Sequence, residues 1–363
     1  MPENSAEATS PREVMPDVTL GQVEFLKRFK AQYADPAFAS ASKELDVVAD
    51  IAWDGYVNSR KAPNTKKAGP AYADPTYDLS VDWSEAKAEI DRAQVRFASK
   101  SRSPKVLLIN ASSRSENTCP GESSKSFRMI TMAEEVFVAS GMETNLLDLS
   151  RLASEYGRNI HPCKACFSTA APLCHWPCSC YPNYSLGQTQ DWMNEIYPMW
   201  VEADAVFIVS PVNWYQVTSP LKLMMDRLVC ADGGNADPTL TNGKDAEKAK
   251  AIELDHWDYP QHLAGRLFGV VVHGDVEGAE GVRRSISDWL RFMGFEAAGK
   301  KAEVDRYIGY WKPYASSHQE LDADLAMQGE VRNAAKTVCE AIDAKRAGKW
   351  LSAGQDLHPP RQK

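Results

Sequence analysis

Lys-Val-Leu-Leu-Ile-Asn, at residues 105–110, is the stretch from which the fold of this 363-residue chain can be predicted. Short apolar runs of this kind are typical of strands that are buried on both faces of a parallel sheet. Comparable runs, separated by helical patterns, follow at 142–149, 204–211, 267–273 and 295–304. Strands that alternate with helices along a chain predict a doubly wound sheet. We therefore expect an α/β fold built on five parallel strands.

Cap residues predict where the helices begin and end. Gly141 and Gly294 each follow a helical pattern, and glycine readily adopts the left-handed conformation that closes a helix. Ser219 is expected to cap a helix that has Pro220 at its first position. A long amphipathic helix is expected at 319–347.

The chain extends beyond the predicted sheet at both ends. Residues 1–17 contain three prolines and scattered acids, and we expect a disordered tail there. Residues 18–100 predict a helical extension, with a loop at 62–75, that packs on the main domain or on a neighbouring subunit. Residues 313–363 are expected to form a C-terminal helix and tail.

The main domain is expected to cover residues 101–312 and to contain two insertions. One is a cysteine-rich insertion at 160–185. The other, at 231–265, interrupts the strand and helix pattern, and long insertions at a ligand-binding edge commonly act as lids or subunit contacts.

The composition limits the classes of partner. A formal net charge of −8 argues against nucleic acid and anionic membranes, which need a basic surface. Small molecules or another protein are the expected partners. The sequence shows no signal-peptide pattern and no apolar stretch of the roughly eighteen residues that a membrane helix needs. We expect a cytoplasmic protein, in a reducing compartment where disulfides are disfavoured.

Ligands of doubly wound sheets bind beyond the carboxyl ends of the strands, so the loops after the strands are the candidate sites. The loop at 111–126 is rich in serine and threonine and leads into a helix. Hydroxyls, backbone amides and a helix N-terminus suit a phosphate monoester, although a solvated loop with a capping serine is an alternative. Neither Gly-x-x-x-x-Gly-Lys nor Gly-x-Gly-x-x-Gly is present here, which disfavours nucleoside triphosphates and a dinucleotide Rossmann site.

Two further loops carry groups suited to a planar ligand. Trp214 and Tyr215, with Asn213, can wrap an aromatic ring and bond its edge, although core packing is the common role of such side chains. His273 begins a glycine-containing turn where the backbone can approach a planar ligand closely, although a histidine at a strand end is more often structural.

These motifs together resemble the NADPH-dependent FMN reductase family of the flavodoxin-like fold. The resemblance covers about residues 105–304 and rests on Ala-Ser-Ser-Arg at 111–114, on the motif at 210–228, and on Val-Val-His-Gly-Asp at 271–275. The motif at 210–228 is Ser-Pro-Val-Asn-Trp-Tyr, followed by Ser-Pro-Leu-Lys-Leu-Met-Met-Asp-Arg-Leu. The most distinctive element is the Pro-x-x-Trp/Tyr loop that runs into Pro-Leu-Lys and Asp-Arg-Leu.

The resemblance implies a set of FMN-binding residues. The residues that would hold the FMN phosphate are Ser112, Arg114, Ser124 and Ser126. One side of the isoalloxazine would be lined by Pro211, Val212, Asn213, Trp214 and Tyr215, and the other closed by His273, Gly274 and Asp275. The first loop departs from the family's short form by an insertion at 119–122, so the resemblance does not fix which of its residues bind the phosphate.

Five cysteines lie close together, at positions 163, 166, 174, 178 and 180. They follow the second predicted strand, where the iron-sulfur flavoprotein branch of this fold carries its cluster ligands, but only the first Cys-x2-Cys pair matches that branch's spacing. The resemblance implies a possible [4Fe-4S] cluster on Cys163, Cys166, Cys174 and Cys178, with Cys180 spare. Zinc, held by four thiolates or by three with His161 or His175, is an alternative. Free thiols in an active-site flap are another.

The function implied by the resemblance is an FMN-dependent oxidoreductase. It would take electrons from NAD(P)H and pass them to a quinone-like, nitroaromatic or protein acceptor, through the cluster if one is present. The family also implies a homodimer or homotetramer. The alternative is a flavodoxin-like binding or redox-sensing protein, stabilised by zinc or free of metal, without turnover. No side chain is expected to act as a covalent catalyst, because the flavin carries the chemistry.

Overall fold

The computed structural model describes residues 18–99, 101–114, 122–349 and residue 357. The tail predicted at 1–17 and most of the insertion predicted at 119–122, including Cys119, lie outside these residues. The strands are β1 (Thr65–Lys67), β2 (Asp78–Ser80), β3 (Lys105–Asn110), β4 (Glu143–Asp148), β5 (Ala205–Pro211), β6 (Leu267–Gly274), β7 (Glu296–Ala297) and β8 (Glu303–Tyr307).

Helices precede, separate and follow these strands. They are α1 (Gln22–Ala31), α2 (Ser42–Val57), α3 (Val81–Ala98), α4 (Lys125–Ala139), α5 (Arg151–Ser154), α6 (Met193–Glu202), α7 (Ser219–Arg227), α8 (Val229–Gly233), α9 (Ala246–Leu254), α10 (Ala279–Phe292), α11 (Ser317–Ala323) and α12 (Leu325–Arg346).

The central sheet is parallel throughout. Its order is β4-β3-β5-β6, with β7 and β8 both pairing along the free edge of β6. The strands therefore follow the 2-1-3-4-5 order of flavodoxin-like folds. The predicted α/β class and the predicted parallel sheet are confirmed.

The sheet is covered on both faces because its strands are apolar on both faces. Leu107 and Ile109 belong to the core beneath α6, α7 and α10. Val106 and Leu108 belong to the opposite core, beneath α4 and α12. Successive strand side chains point to opposite faces, so an unbroken apolar run feeds two cores at once.

Four local details differ from the sequence prediction. The fifth strand is split into β7 and β8 by a short 3₁₀ turn, Lys300–Ala302. Thr218, not Ser219, caps α7, because its hydroxyl accepts the amide of Leu221. The C-terminal helix is divided at Asp324 into α11 and α12. The carboxylate of Asp324 caps α12 by accepting a hydrogen bond from the amide of Met327. Finally, β1 and β2 form a small antiparallel pair around the loop predicted at 62–75.

The N-terminal extension packs on the main domain through α3. Ile90 and Ala93 of this helix enter the core beneath α6. The indole of Trp83 donates to the carbonyl of Pro177, which lies in the cysteine-rich segment (residues 160–185), at 2.8 Å. Within the described part of the chain, no helix combines the length and apolar character needed to span a bilayer.

Candidate active site

Three loops meet at the carboxyl edge of the sheet. The Thr218 hydroxyl donates to the carbonyl of Ala111 and so ties the loop after β5 to the loop after β3. The amide of Val212 donates to the carbonyl of His273 at 2.9 Å, which joins the ends of β5 and β6. These bonds bring the loops that contain the predicted FMN-binding residues to one place.

The loop after β3 is shaped by its own hydroxyls. Ser124 caps α4: its hydroxyl accepts the amide of Phe127 at 3.1 Å and donates to the carbonyl of Arg114 at 2.9 Å. The hydroxyl of Ser112 accepts the amide of Arg114 at 3.0 Å. Ser112 keeps its own hydroxyl hydrogen to donate, and the start of α4 presents backbone amides that have no partner within the helix.

Arg114 carries a donor that the described protein leaves unused. Its Nε is buried without a hydrogen-bond partner among the described atoms, while Nη2 donates to the carbonyl of Glu122 at 3.2 Å. A buried guanidinium donor without a partner is costly, and a bound anion would satisfy it. Arg114 is therefore equipped to receive a phosphate beside the start of α4.

Ser126 and His273 contact each other instead of facing an open site. The Ser126 hydroxyl and His273 Nε2 are 2.7 Å apart, and both residues are buried. Burial, with a smaller effect of Lys125, lowers the pKa of His273 to about 3, so its ring is neutral at physiological pH. This pair fixes the end of β6 against α4 and thereby positions the phosphate loop.

Lys125 is a site residue that the sequence prediction missed. It is the first residue of α4 and half-buried, and burial lowers its pKa while Asp275 opposes that shift. A cation at this position faces both the phosphate loop and the turn after β6. The periodicity of the helix could have placed Lys125 in the first turn, but its neighbour Asp275 lies 150 residues away in the sequence.

Trp214 and Tyr215 form the tip of a two-residue turn. Asn213 and Gln216 exchange backbone hydrogen bonds of 3.0 and 2.9 Å across it. Both aromatic residues have positive φ, 49° and 64°, and their side chains are 95% and 58% exposed. Left-handed backbone is unfavourable for large side chains, but a tight two-residue turn requires it at both central positions. The two rings are thus held out from the protein at the carboxyl edge, and neither is part of the core.

Two glycines bring the turn after β6 close to the loop after β5. A Cβ on Gly274 would lie 3.1 Å from the carbonyl oxygen of Val276. Gly278 has φ +109°, and a Cβ there would lie 3.2 Å from Tyr215 and 3.3 Å from Val212. The two loops therefore form one continuous wall, in which the absence of a Cβ at the two glycines allows the close approach to Val212 and Tyr215.

The residues present fit FMN. An unpaired buried guanidinium donor and a helix start suit its phosphate, and an exposed aromatic turn beside a glycine-lined wall suits its ring system. Pro211 ends β5 at the base of this wall, opposite His273 in the strand register. A separate surface cleft of about 810 Å³, lined in part by Asp82, Pro182 and Trp192, contains none of the predicted FMN-binding residues.

The cysteine-rich segment forms a different contact from the predicted one. Cys166 and Cys180 approach to 3.4 Å between their sulfurs, and Lys244 Nζ lies 3.7 Å and 3.9 Å from the two sulfurs. A hydrogen bond from Cys180 and the charge of Lys244 lower the pKa of Cys166 to about 6, against the opposing effect of burial. Cys180, left spare by the predicted ligand set, is therefore the closest partner of Cys166.

The pKa values of the other three predicted ligands are raised, in contrast to that of Cys166. Burial raises the pKa of Cys163 and, well above its ordinary value, that of Cys174. A hydrogen bond with Cys180, followed by burial, raises the pKa of Cys178 well above its ordinary value. Over the ranges that the structure describes, no three histidine, cysteine or acidic side chains are grouped so as to hold a metal ion.

The fold, the three loops and the sequence itself define a flavin-dependent oxidoreductase of the flavodoxin-like class. The chain belongs to the NADPH-dependent FMN reductase family, which it matches over residues 104–302. No curated protein sequence matches it.

Several solved structures are similar to this chain. RosB with bound 8-demethyl-8-formylriboflavin-5'-phosphate is 14% identical, with a TM-score of 0.45, over 70% of this chain and 84% of that one. The NAD(P)H:quinone oxidoreductase from Methanothermobacter marburgensis is 17% identical, with a TM-score of 0.38, over 64% and 96% of the two chains. The azoreductase from Bacillus anthracis str. Sterne is 13% identical, with a TM-score of 0.36, over 65% and 99%.

Proposed function

We propose that this FMN-dependent reductase binds the FMN phosphate at the start of α4 and the flavin ring against the loops at 211–215 and 273–275. The observation that carries the proposal is the buried Nε of Arg114, which lacks a hydrogen-bond partner among the described atoms. It lies in the loop whose capping serine opens α4, next to Lys125. Two cations and a helix start at one place suit a dianionic phosphate.

Each group in the site has a distinct task. Arg114 and Lys125 neutralise the phosphate, and Ser112 donates its free hydroxyl hydrogen to it. Ser124 and Ser126 hold the loop in shape through their bonds to Arg114 and His273. His273 is neutral and acts as a positioning residue, not as a proton donor to substrate.

The exposed turn governs access to the flavin face. Trp214 and Tyr215 shield one side of the ring from water and leave a flat aromatic surface for a planar reactant. When bound, FMN supplies the transfer of two electrons between nicotinamide and acceptor. We propose NADH or NADPH as the donor and a quinone-like or nitroaromatic molecule, or a redox protein, as the acceptor.

The predicted [4Fe-4S] cluster, or zinc, on Cys163, Cys166, Cys174 and Cys178 remains a prediction without support from the described residues. The homodimer or homotetramer and the cytoplasmic location also remain predictions. Measurement of iron, acid-labile sulfide and zinc in the purified protein tests the metal prediction, and light scattering tests the oligomeric state.

The phosphate site is tested with Arg114→Gln, compared for FMN and for riboflavin. A charged hydrogen bond contributes about 1.5–3 kcal/mol, so we expect the Kd for FMN to rise about 10- to 150-fold. The Kd for riboflavin, which has no phosphate, should not change. Arg128→Gln is the matched control, because Arg128 lies in the first turn of α4, three residues after Lys125, and pairs with Asp322. An equal loss for both ligands would disprove phosphate binding by Arg114.

Turnover is tested by anaerobic stopped-flow mixing of the FMN-loaded protein with NADH and, separately, NADPH. We expect the flavin absorbance to bleach with at least one nucleotide and to return when a quinone or nitroaromatic is added. A flavin that neither nucleotide reduces would refute the proposed donor.

A further inference from the structure

The segment after β8 places exposed aromatic side chains beside the turn after β6. Tyr310, Trp311 and Tyr314 are all exposed, and Trp311 is 67% exposed. The amide of Trp311 donates to the carbonyl of Asp275 at 2.9 Å. Residues 307–314 (the aromatic segment) therefore border the turn that is proposed to contact the flavin. The function proposed above gives these side chains no task.

Tyr307 joins the aromatic segment to the loop that holds Tyr215. The Tyr307 hydroxyl accepts the amide of Gly278 at 3.2 Å and donates to the carboxylate of Glu280 at 2.7 Å. Gly278 in turn lies against Tyr215. The ring centres of Tyr307 and Tyr310 are 5.0 Å apart, which is within the range of interacting aromatic pairs. Direct contacts thus connect the aromatic turn after β5 to the aromatic segment.

Trp311 is held outward on left-handed backbone, as Trp214 is. The amide of Lys312 donates to the carbonyl of Gly309 at 2.9 Å, which closes a turn with Trp311 at its third position. Trp311 has a φ of 56°, and glycine or asparagine usually takes such a position. The ring of Tyr310 lies 5.8 Å away and supports the indole from one side. Most of the indole therefore stays open to a ligand.

Carboxylates border this aromatic surface, and the cations close to it in the chain are paired. Glu277 and Glu280 are exposed, in the turn after β6 and in the first turn of α10. Lys312, within the segment, is paired with Glu320 at 2.9 Å. Arg306, which precedes the segment, is paired with a carboxylate of α12 at 2.8 Å. An anionic ligand would be repelled here, whereas the faces of tryptophan and tyrosine accept neutral rings and attract cations.

We propose that the aromatic segment is a subsite for the electron acceptor, and that Trp311 is a specificity-determining residue that favours planar aromatic acceptors that are neutral or cationic. The inference rests on the proposed function, because it needs the flavin beside the turn at 273–275. It narrows the acceptor class: an uncharged or cationic quinone-like or nitroaromatic molecule stacks on the indole, and an anionic one of the same shape binds less well.

The experiment uses the full-length protein loaded with oxidised FMN, without NADH or NADPH. The probes share one ring and differ in charge: 4-nitrobenzamide is neutral, (4-nitrobenzyl)trimethylammonium is cationic and 4-nitrobenzoate is anionic. Each Kd is measured from the change in flavin absorbance. We expect the wild type to bind the neutral and cationic probes more tightly than the anionic one.

Trp311→Ala should raise the Kd of the neutral and cationic probes about two- to tenfold, because an aromatic contact is lost. The Kd for FMN should change by less than about twofold. At low salt, Glu277→Gln should reduce the discrimination against 4-nitrobenzoate by about twofold, the size expected for one exposed charge. Tyr156→Ala is the control, because Tyr156 is an exposed aromatic residue of the separate cleft and should leave every Kd unchanged.

Three results would overturn the proposal. One is an unchanged Kd for the neutral and cationic probes in Trp311→Ala. Another is an equal loss of FMN binding in that variant. The third is a wild type that binds 4-nitrobenzoate as tightly as 4-nitrobenzamide, a measurement that needs no variant to fold. Tyr310→Ala, which removes the ring that supports the indole, should shift the same Kd values in the same direction.

Failure of this inference and failure of the proposed function can be told apart. The probe Kd values are measured on the oxidised protein, so they do not depend on whether either nucleotide reduces the flavin. A protein that binds FMN and is reduced by NADH or NADPH, but shows one of the three results above, would keep the proposed function and lose the acceptor subsite.

Discussion

Arg227 joins the helix after the flavin loop to the segment that contains the cysteines, and replacing it should be strongly destabilising. Its side chain is buried at the end of α7 and pairs with Asp191, which is also buried. Nη1 donates to Asp191 Oδ1 at 3.1 Å and to the carbonyl of His161 at 3.0 Å. The guanidinium also lies 4.7 Å from the centre of the Tyr181 ring.

Arg227→Met removes one partner of this buried pair and leaves the carboxylate of Asp191 without its cation. Removing one member of a buried ion pair costs about 3–5 kcal/mol, because the remaining charge stays in a medium that solvates it poorly. We expect the free energy of unfolding of Arg227→Met to fall by about that amount. The double variant Arg227→Met/Asp191→Leu should recover most of the loss, since an apolar pair of similar volume is often as stable as the ion pair.

The assay is urea unfolding at pH 7, followed by tryptophan fluorescence and by circular dichroism. Lys222→Met is the control, because Lys222 pairs with Asp226 on the exposed face of the same helix and should change stability by less than about 0.5 kcal/mol. A loss below about 1 kcal/mol for Arg227→Met, or a double variant as unstable as the single one, would refute the argument from buried charge.

Three further predictions concern the site. Trp214→Ala should change the apoprotein's free energy of unfolding by less than about 0.5 kcal/mol, because Trp214 is 95% exposed. It should weaken FMN binding about two- to tenfold in a flavin titration, and unchanged binding would exclude contact between Trp214 and the flavin ring. Gly278→Ala should weaken FMN binding and lower the melting temperature, because alanine is strained at its positive φ and the added Cβ would crowd Tyr215 and Val212. An unchanged melting temperature would contradict this. His273 has a pKa of about 3 when folded and about 6.5 when unfolded, so only the unfolded chain takes up a proton between these values. The free energy of unfolding should therefore fall as the pH drops from 6.5 towards 4, and His273 should contribute about 1.4 kcal/mol per pH unit to this fall. In urea titrations His273→Gln should remove that contribution. The same pH dependence in the wild type and the variant would show that His273 does not cause it.

Local patterns were sufficient to predict the sheet. The strand β3 has the bounds predicted from its apolar run, because such a run is recognisable in any context. The split of the fifth strand and the break at Asp324 depend on which neighbours the backbone meets, and no short window contains that information. The cap at Thr218 was missed for a simpler reason: two adjacent hydroxyl residues can each cap a helix.

The sequence was sufficient to predict which loops lie together at the site, but not which side chains contact each other there. Parallel strands bring their carboxyl ends to one edge, so the three loops had to lie together. The partners of individual side chains could not be predicted, because they are far apart in sequence. Ser126 and His273 are separated by 147 residues, and Cys166 and Lys244 by 78. For the same reason, the spacing of the cysteines did not reveal that the sulfur of Cys166 lies 3.4 Å from that of Cys180, the one cysteine of the five that the predicted ligand set leaves spare.

The abundance of hydroxyls in the loop after β3 first indicated a phosphate site, but the hydroxyls of Ser124 and Ser126 are used within the protein. Ser124 is committed to the cap of α4 and to the Arg114 carbonyl, and Ser126 to His273. These serines therefore set the path of the backbone, while Arg114, Lys125 and the free amides at the start of α4 supply the attraction for an anion. If the proposed phosphate site is correct, we expect selectivity for FMN over riboflavin to depend on Arg114, Lys125 and the start of α4 more than on the hydroxyls of Ser124 and Ser126.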